Sequence, residues 1–421
     1  MRVLVDKSRI SGSVPAPASK SYTIRGLMCA ALARGESSIT NPLRSDDTDA
    51  AMRVLSQIGA AISVENGLWH VSGGEFRTPD ADLYCGDSAA TLRFMTAICS
   101  LVPGRCLLTA GASLSRRPVK PLVLALRQLG VDIECAGDFP PVTVRGGELK
   151  GNVVDLPGNI SSQFVSALLM ATPLSCYGVT INLSTLLESR SYVLMTLECV
   201  GRFGIEIGYT TDLCEFAVKS QEYVPAEYRV EGDWSSASSL LALGALSGAV
   251  TVANLNPASL QGDRVITDFL RKMGAEVQIA GDSVNVKKQK LQAIKADLAD
   301  CIDLLPTMAV LSAVAEGTSE FTGIQRARLK ESDRVAAVKE GLERAGVTVR
   351  EEQDRLVITG SRPGAAVIDS HGDHRIAMAF SLLGAASGDI AITGAECVSK
   401  TYPDFWDVFQ SIGGEVKIDG E

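Results

Sequence analysis

One short pattern returns six times along this chain: an apolar helix end, a glycine, two further residues and a β-branched residue. The copies are QIGAAI, QLGVDI, RFGIEI, KMGAEV, RAGVTV and SIGGEV, with glycines at Gly59, Gly130, Gly204, Gly274, Gly346 and Gly413, between 67 and 74 residues apart. Each copy reads as a helix C-terminus. Apolar residues at helical spacing precede it, as at Ala50, Val54 and Leu55 or Phe269 and Met273; glycine supplies a left-handed cap, and an alternating strand begins. After the fourth glycine, Val277, Ile279, Val284 and Val286 alternate around Gly281-Asp282, which predicts a hairpin. Further helices are expected to start at Ser19 to Thr23, Asp87-Ser88 and Ser161-Ser162. Six such units make an α/β protein built by repetition, and at 421 residues the natural division is two domains of three units each.

Composition narrows the function classes. Hydrophobic residues make up 46% and charged residues 21%, which is ordinary for a globular chain with a large core. The formal charge of −9 argues against a nucleic-acid or anionic-membrane partner, since those need a broad basic face, but leaves room for small anions bound by a local cluster. Asp6 and Lys7 interrupt the place where a signal peptide needs apolar residues. The longest apolar stretch, Leu240 to Ala253, is broken by Gly244, Ser247 and Gly248 and is too short to span a bilayer, so a cytoplasmic protein is expected. Ten cysteines without a CxxC pair read as buried thiols of a reducing compartment, and three histidines give no zinc-site spacing.

The chemistry-bearing residues gather at helix starts. Lys20, Ser21 and Arg25 lie where free backbone N–H groups favour a phosphate or carboxylate. Gly86 to Arg93 combines small residues with an arginine able to buttress the turn, and Arg116-Arg117-Pro118 offers a bidentate donor fork or simply faces water. Ser161, Ser162 and Gln163 suit a hydroxylated or phosphorylated ligand, or merely cap a helix. Farther on, Arg328 to Arg334 packs three cations and two carboxylates into seven residues; on a helix Lys330 and Arg334 would share a face, with Glu331 and Arg334 within a turn. His371 to Arg375 opens another helical run, and Lys400 to Asp404 follows a strand-like segment. Asp303, in the mostly apolar CIDLLPTMAVL, suits a general base or a helix N-cap. No P-loop, dinucleotide fingerprint, nucleophile elbow or kinase signature occurs, so what recurs is anion binding.

In order along the chain, SKSYTIR, GDSAATLR, RRP, SSQF, SRSY, LKESDR, GDHRIAM and KTYPD resemble the motif series of the 5-enolpyruvylshikimate-3-phosphate synthase family, from about residue 8 to the C-terminus. The resemblance implies an inside-out α/β barrel of the enolpyruvyl transferase type, with three βαβαββ units per domain. The chain crossings expected are residues 1–18 plus 232–421 for one domain and 19–231 for the other, with the active site in the cleft between them. It implies transfer of the enolpyruvyl group of phosphoenolpyruvate to the 5-hydroxyl of shikimate 3-phosphate, on the way to chorismate and the aromatic amino acids, by a monomer without metal or organic cofactor.

Carried over by motif, shikimate 3-phosphate would meet Lys20, Ser21, Arg25, Ser161, Ser162, Gln163, Ser189, Tyr192, Asp303 and Lys330. Phosphoenolpyruvate would meet Lys20, Ala89 through its backbone, Arg117, Gln163, Arg334, His374, Arg375 and Lys400. Asp303 would take the hydroxyl proton, and Glu331, with Lys20, would protonate the methylene carbon.

Three positions depart from the family pattern. Ala89 stands where many relatives have glycine, which implies weaker inhibition by glyphosate; Arg326 replaces an asparagine that touches the shikimate ring in some relatives; Ile302 replaces the proline before the base. Two rivals remain. The sister UDP-N-acetylglucosamine enolpyruvyl transferases carry a reactive cysteine in the loop matching Leu114 to Pro118, which here has none, and a non-catalytic anion-binding repeat scaffold would have no use for Asp303 and Glu331.

Overall fold

The computed structural model describes residues 1–419. The chain forms two compact units: an inserted unit, Ala18–Glu231, and a split unit made of Met1–Pro17 and the chain from Gly232 onward.

The inserted unit carries six helices, α1 (Lys20–Leu32), α2 (Asp46–Gln57), α3 (Ala89–Ile98), α4 (Lys120–Gln128), α5 (Ser162–Ala171) and α6 (Arg190–Arg202). The split unit carries α7 (Trp234–Ser247), α8 (Ile266–Lys272), α9 (Leu305–Val314), α10 (Arg334–Arg344), α11 (His374–Ser387) and α12 (Phe405–Ser411). Odd and even helices differ in kind. The odd ones are buried along nearly their whole length, α7 at every residue, because their sequences are apolar or small all round. Several of their hydroxyls are satisfied internally, as where Ser238 Oγ donates to the Ser235 carbonyl (2.6 Å), Thr96 Oγ1 to Leu92 (2.7 Å) and Ser381 Oγ to Met378 (2.6 Å). The even helices are one-sided: α2 buries Ala50, Ala51, Val54 and Leu55 and leaves the charged face to solvent.

All six repeat glycines lie two residues beyond an even helix and adopt positive φ, from +80° at Gly346 to +123° at Gly59, with a strand following each. The expected hairpin is present, with Val277 opposite Val286 and Ile279 opposite Val284. The expected helix starts are present as well: Ser19, Ser88 and Ser161 are the N-caps of α1, α3 and α5. Among the described residues the strands form six four-stranded sheets of one pattern, a parallel pair extended by two antiparallel strands. One runs Val153–Leu156, Val179–Leu183, Glu215–Val218, Ile207–Tyr209.

Three sheets are completed from far away in sequence. Glu227–Arg229 pairs in parallel with Gly35–Thr40, Ile10–Pro15 with Gly248–Ala253, and Arg2–Asp6 fits between Ile390–Thr393 and Glu415–Asp419. Each unit has its own apolar core where the sheets meet the odd helices. The cysteines are free thiols; six are buried, whereas Cys176 is exposed in the turn before a strand. No helix among the described residues is long and apolar enough to cross a membrane.

Candidate active site

In the inserted unit, helix starts are linked by polar contacts. Ser19 accepts from the Tyr22 N–H and so aims the first turn of α1, whose first residue, Lys20, has Nζ 2.8 Å from Asp47 Oδ2 on α2. The Asp47 carbonyl accepts from Thr91 Oγ1 on α3. Arg93, also on α3, donates from Nη1 to Ser161 Oγ (3.1 Å) and Gln163 Oε1 (2.8 Å) at the start of α5, and from Nη2 to the Pro118 carbonyl (3.0 Å). It therefore fixes three of the predicted motifs at once, and the face of Phe164 lies under its guanidinium at 4.9 Å.

Arg25 is 2% exposed, and its acceptors are neutral: Thr196 Oγ1 (2.8 Å), the Ser21 carbonyl (3.0 Å) and the Tyr192 carbonyl (3.0 Å). Phe94 and Tyr192 lie beside it at 5.3 and 5.8 Å. Burial lowers its proton affinity, because the charged form has been taken out of water. Ser189 caps α6 in a left-handed conformation, φ 52°, and Ala89, 5% exposed, is the first residue of α3. The two readings of the arginine pair divide between its members: Arg116 is exposed, whereas Arg117 closes a 3-10 turn, Leu114–Arg116, and is buried.

The split unit gathers opposite charges. Arg334 Nη1 lies 2.5 Å from Asp303 Oδ1, Nη2 lies 2.8 Å from Glu331 Oε2, and Nε lies 2.7 Å from Asp373 Oδ2. Burial works against its charge, yet Asp373, Glu331 and Asp303 more than offset that and hold its proton affinity above the ordinary value. Lys330 Nζ stands 3.2 Å from Asp303 and Arg375 Nε 3.7 Å, while Lys400 Nζ stands 3.7 Å from Glu331. Burial lowers the proton affinity of Lys330, Asp303 opposes this, and Arg334 adds to it.

Two local expectations need correction. Arg328 to Arg334 is not one helix: the 3-10 turn Gln325–Leu329 ends there, Asp333 caps α10 through the Ala336 N–H, and Arg334 is the first helical residue. Lys330 and Arg334 meet at Asp303 because this break folds the segment back. Asp303 does not cap a helix either. It sits in a 3-10 turn, Ile302–Leu304, among cations contributed by other elements, so the apolar sequence around it misdescribes its surroundings.

His374 is buried at the start of α11 with Nδ1 3.8 Å from Asp373, whereas His371 is exposed 3.3 Å from Glu340, so the two imidazoles do not face a common point. Arg326 donates to the Ala299 carbonyl (2.7 Å) and so ties the 3-10 turn Gln325–Leu329 to the segment that precedes Asp303. Sequence reasoning missed Asp47 and Asp373 as partners of Lys20 and Arg334. The signal was present in both, since each is an aspartate at a helix start: Asp47 in the acidic first turn of α2 and Asp373 as the N-cap of α11.

The model of the family EPSP synthase (3-phosphoshikimate 1-carboxyvinyltransferase) matches residues 5–409. This chain belongs to the EPSP synthase family. A 3-phosphoshikimate 1-carboxyvinyltransferase of Dehalococcoides mccartyi is 48% identical over the full length of both chains. One from Methanothermobacter thermautotrophicus is 42% identical, covering 99% of this chain and all of the relative. The solved EPSP synthase of Acinetobacter baumannii superposes over all of both chains with a TM-score of 0.83 at 26% identity. Membership makes the chain a transferase of the shikimate pathway, with the two-domain α/β fold that the six glycines announced.

Proposed function

We propose that the chain transfers the enolpyruvyl group of phosphoenolpyruvate to the 5-hydroxyl of shikimate 3-phosphate. A single observation carries the reading: one buried guanidinium, that of Arg334, holds Asp303 on one terminal nitrogen and Glu331 on the other. Two carboxylates fixed by one rigid fork can act as separate proton acceptor and donor without drifting apart.

Asp303 takes the proton of the 5-hydroxyl as its oxygen bonds C2 of phosphoenolpyruvate, and C3 gains a proton from Glu331, with Lys20 assisting. The ketal phosphate so formed collapses: C3 returns its proton, the C2–O bond to phosphate breaks, and the double bond re-forms. Shikimate 3-phosphate is held by Lys20, Ser21, Arg25, Ser161, Ser162, Gln163, Ser189, Tyr192 and Lys330. Phosphoenolpyruvate and the leaving phosphate are held by Lys20, the Ala89 backbone, Arg117, Gln163, Arg334, His374, Arg375 and Lys400, whose charges stabilise the departing dianion. Helix starts capped by Ser19, Ser88 and Ser161 support this assignment, since their N–H groups favour anions. The enzyme works in the cytoplasm as a monomer and needs neither metal nor organic cofactor.

The test is release of inorganic phosphate from phosphoenolpyruvate with shikimate 3-phosphate, with UDP-N-acetylglucosamine and with neither. Release only with shikimate 3-phosphate is expected, with Asp303→Asn lowering kcat by roughly 10²–10⁴-fold. Equal release without an acceptor, or release with the sugar nucleotide, would overturn the reading.

A further inference from the structure

Behind Asp303 lies a second buried acid with no role so far. Asp263, 4% exposed, sits in the 3-10 turn Gly262–Val265, which packs on the start of α7. Its carboxylate accepts a hydrogen bond from Ser235 Oγ in the first turn of that helix. The turn that carries Asp303 and the helix α11 that carries Arg375 pack on α7 too, so three charged groups converge around one helix start. Arg375 Nε is 3.7 Å from Asp303 Oδ1, and its charge also acts on Asp263.

We propose that Asp263 is a positioning residue for proton transfer, whose charge, acting together with that of Arg375, tunes the basicity of Asp303. The inference rests on Asp303 being the proton acceptor. Its physics is that of two carboxyls that resist ionising together: a negative Asp263 raises the affinity of Asp303 for a proton, and a neutral Asp263 lowers it.

Burial, and then the negative charge of Asp303, push the Asp263 carboxyl up to about 6, against the opposing pull of Arg375 and the Ser235 hydroxyl; Asp233, at the start of α7, adds a smaller push upward. The neighbouring Cys301 thiol feels both acids and stays protonated, its affinity raised first by burial and then by Asp263. As pH rises through about 6, Asp263 therefore gains its charge and Asp303 becomes the stronger base.

Two readouts test this. In kcat against pH, the wild-type enzyme is expected to gain rate by roughly threefold on rising through the Asp263 titration. Asp263→Asn should lack that step and stay on the lower plateau, and Ser235→Ala, which removes a bond favouring the charged form, should move the step to higher pH. In carbon NMR of the substrate-free enzyme labelled at aspartate carboxyls, one carboxyl should titrate near the same pH. That signal should be absent from Asp263→Asn, shifted up in Ser235→Ala and shifted down in Asp303→Asn.

A wild-type spectrum without such a carboxyl overturns the inference, even if Asp263→Asn fails to fold. So does a rate step that survives in Asp263→Asn. If instead Asp303→Asn keeps full turnover while the carboxyl shifts as described, the two acids are coupled and the assignment of Asp303 as base is what fails.

Discussion

Arg25 in the inserted unit and Arg334 in the split unit are both almost wholly buried, and they have opposite surroundings. Arg25 is met by a hydroxyl, two backbone carbonyls and two aromatic rings, so its charge is oriented but not neutralised. Arg334 is met by three carboxylates. The first arrangement leaves a cation with everything to gain from an arriving anion. The second is a finished network in which the arginine's main task is to hold acids in place. Burial depresses the proton affinity of Arg25, while carboxylates overcome burial at Arg334, which is the same contrast in terms of charge. Two buried arginines in one protein can thus differ in kind, one as a receptor and one as a frame.

The sharpest way to break this comparison is to remove each guanidinium. Arg334→Met takes from Asp303, Glu331 and Asp373 the cation they share, leaving Lys330 and Arg375 near Asp303 and Lys400 near Glu331, and should cost about 3–5 kcal/mol of stability in urea unfolding, along with nearly all activity. Arg25→Met takes away a buried charge with neutral partners, so unfolding should change by less than about 1 kcal/mol while KM for shikimate 3-phosphate rises roughly 100-fold, the value of a charge-assisted pair. If the two variants unfolded alike, the distinction between receptor and frame would be wrong.

A gentler probe uses inorganic phosphate. It should raise the melting temperature of the wild type and raise that of Arg25→Met by clearly less, by the ordinary mass-action argument. Specificity can be read at Ala89, buried at the start of α3. Ala89→Gly should strengthen inhibition by glyphosate, and an unchanged inhibition constant would remove any role for that methyl group.

The smallest effects concern the repeat itself. A side chain at Gly346 meets open space, so Gly346→Ala should cost only the backbone strain, about 1 kcal/mol. At Gly59 a new Cβ would lie 2.4 Å from the Glu75 carbonyl oxygen, and the measured loss should be clearly larger.

Much of this was legible in the chain. The six cap glycines declared the repeat because a left-handed helix end leaves a strict local signature. Ser19, Ser88 and Ser161 declared their helices because a serine side chain can accept from the free N–H groups of a first turn. What stayed hidden depends on residues distant in sequence. Nothing local to CIDLLPTM reveals that Lys330, Arg334 and Arg375 surround Asp303, and nothing in SRRPV tells a buried Arg117 from an exposed Arg116. The break before α10 was visible in Asp333, an N-cap read instead as part of a charged helical face.

The three sheets completed by remote strands also set an order of events during synthesis. Ile10–Pro15 needs Gly248–Ala253, and Arg2–Asp6 needs strands beyond residue 390, so both emerge from the ribosome long before their partners exist. The inserted unit, by contrast, holds every strand of its own three sheets once Glu227–Arg229 has been made. At roughly 5–20 residues per second, the earliest strand waits on the order of tens of seconds, tethered to a neighbour that has already had time to fold. The nascent chain thus builds its middle before it can join its two ends.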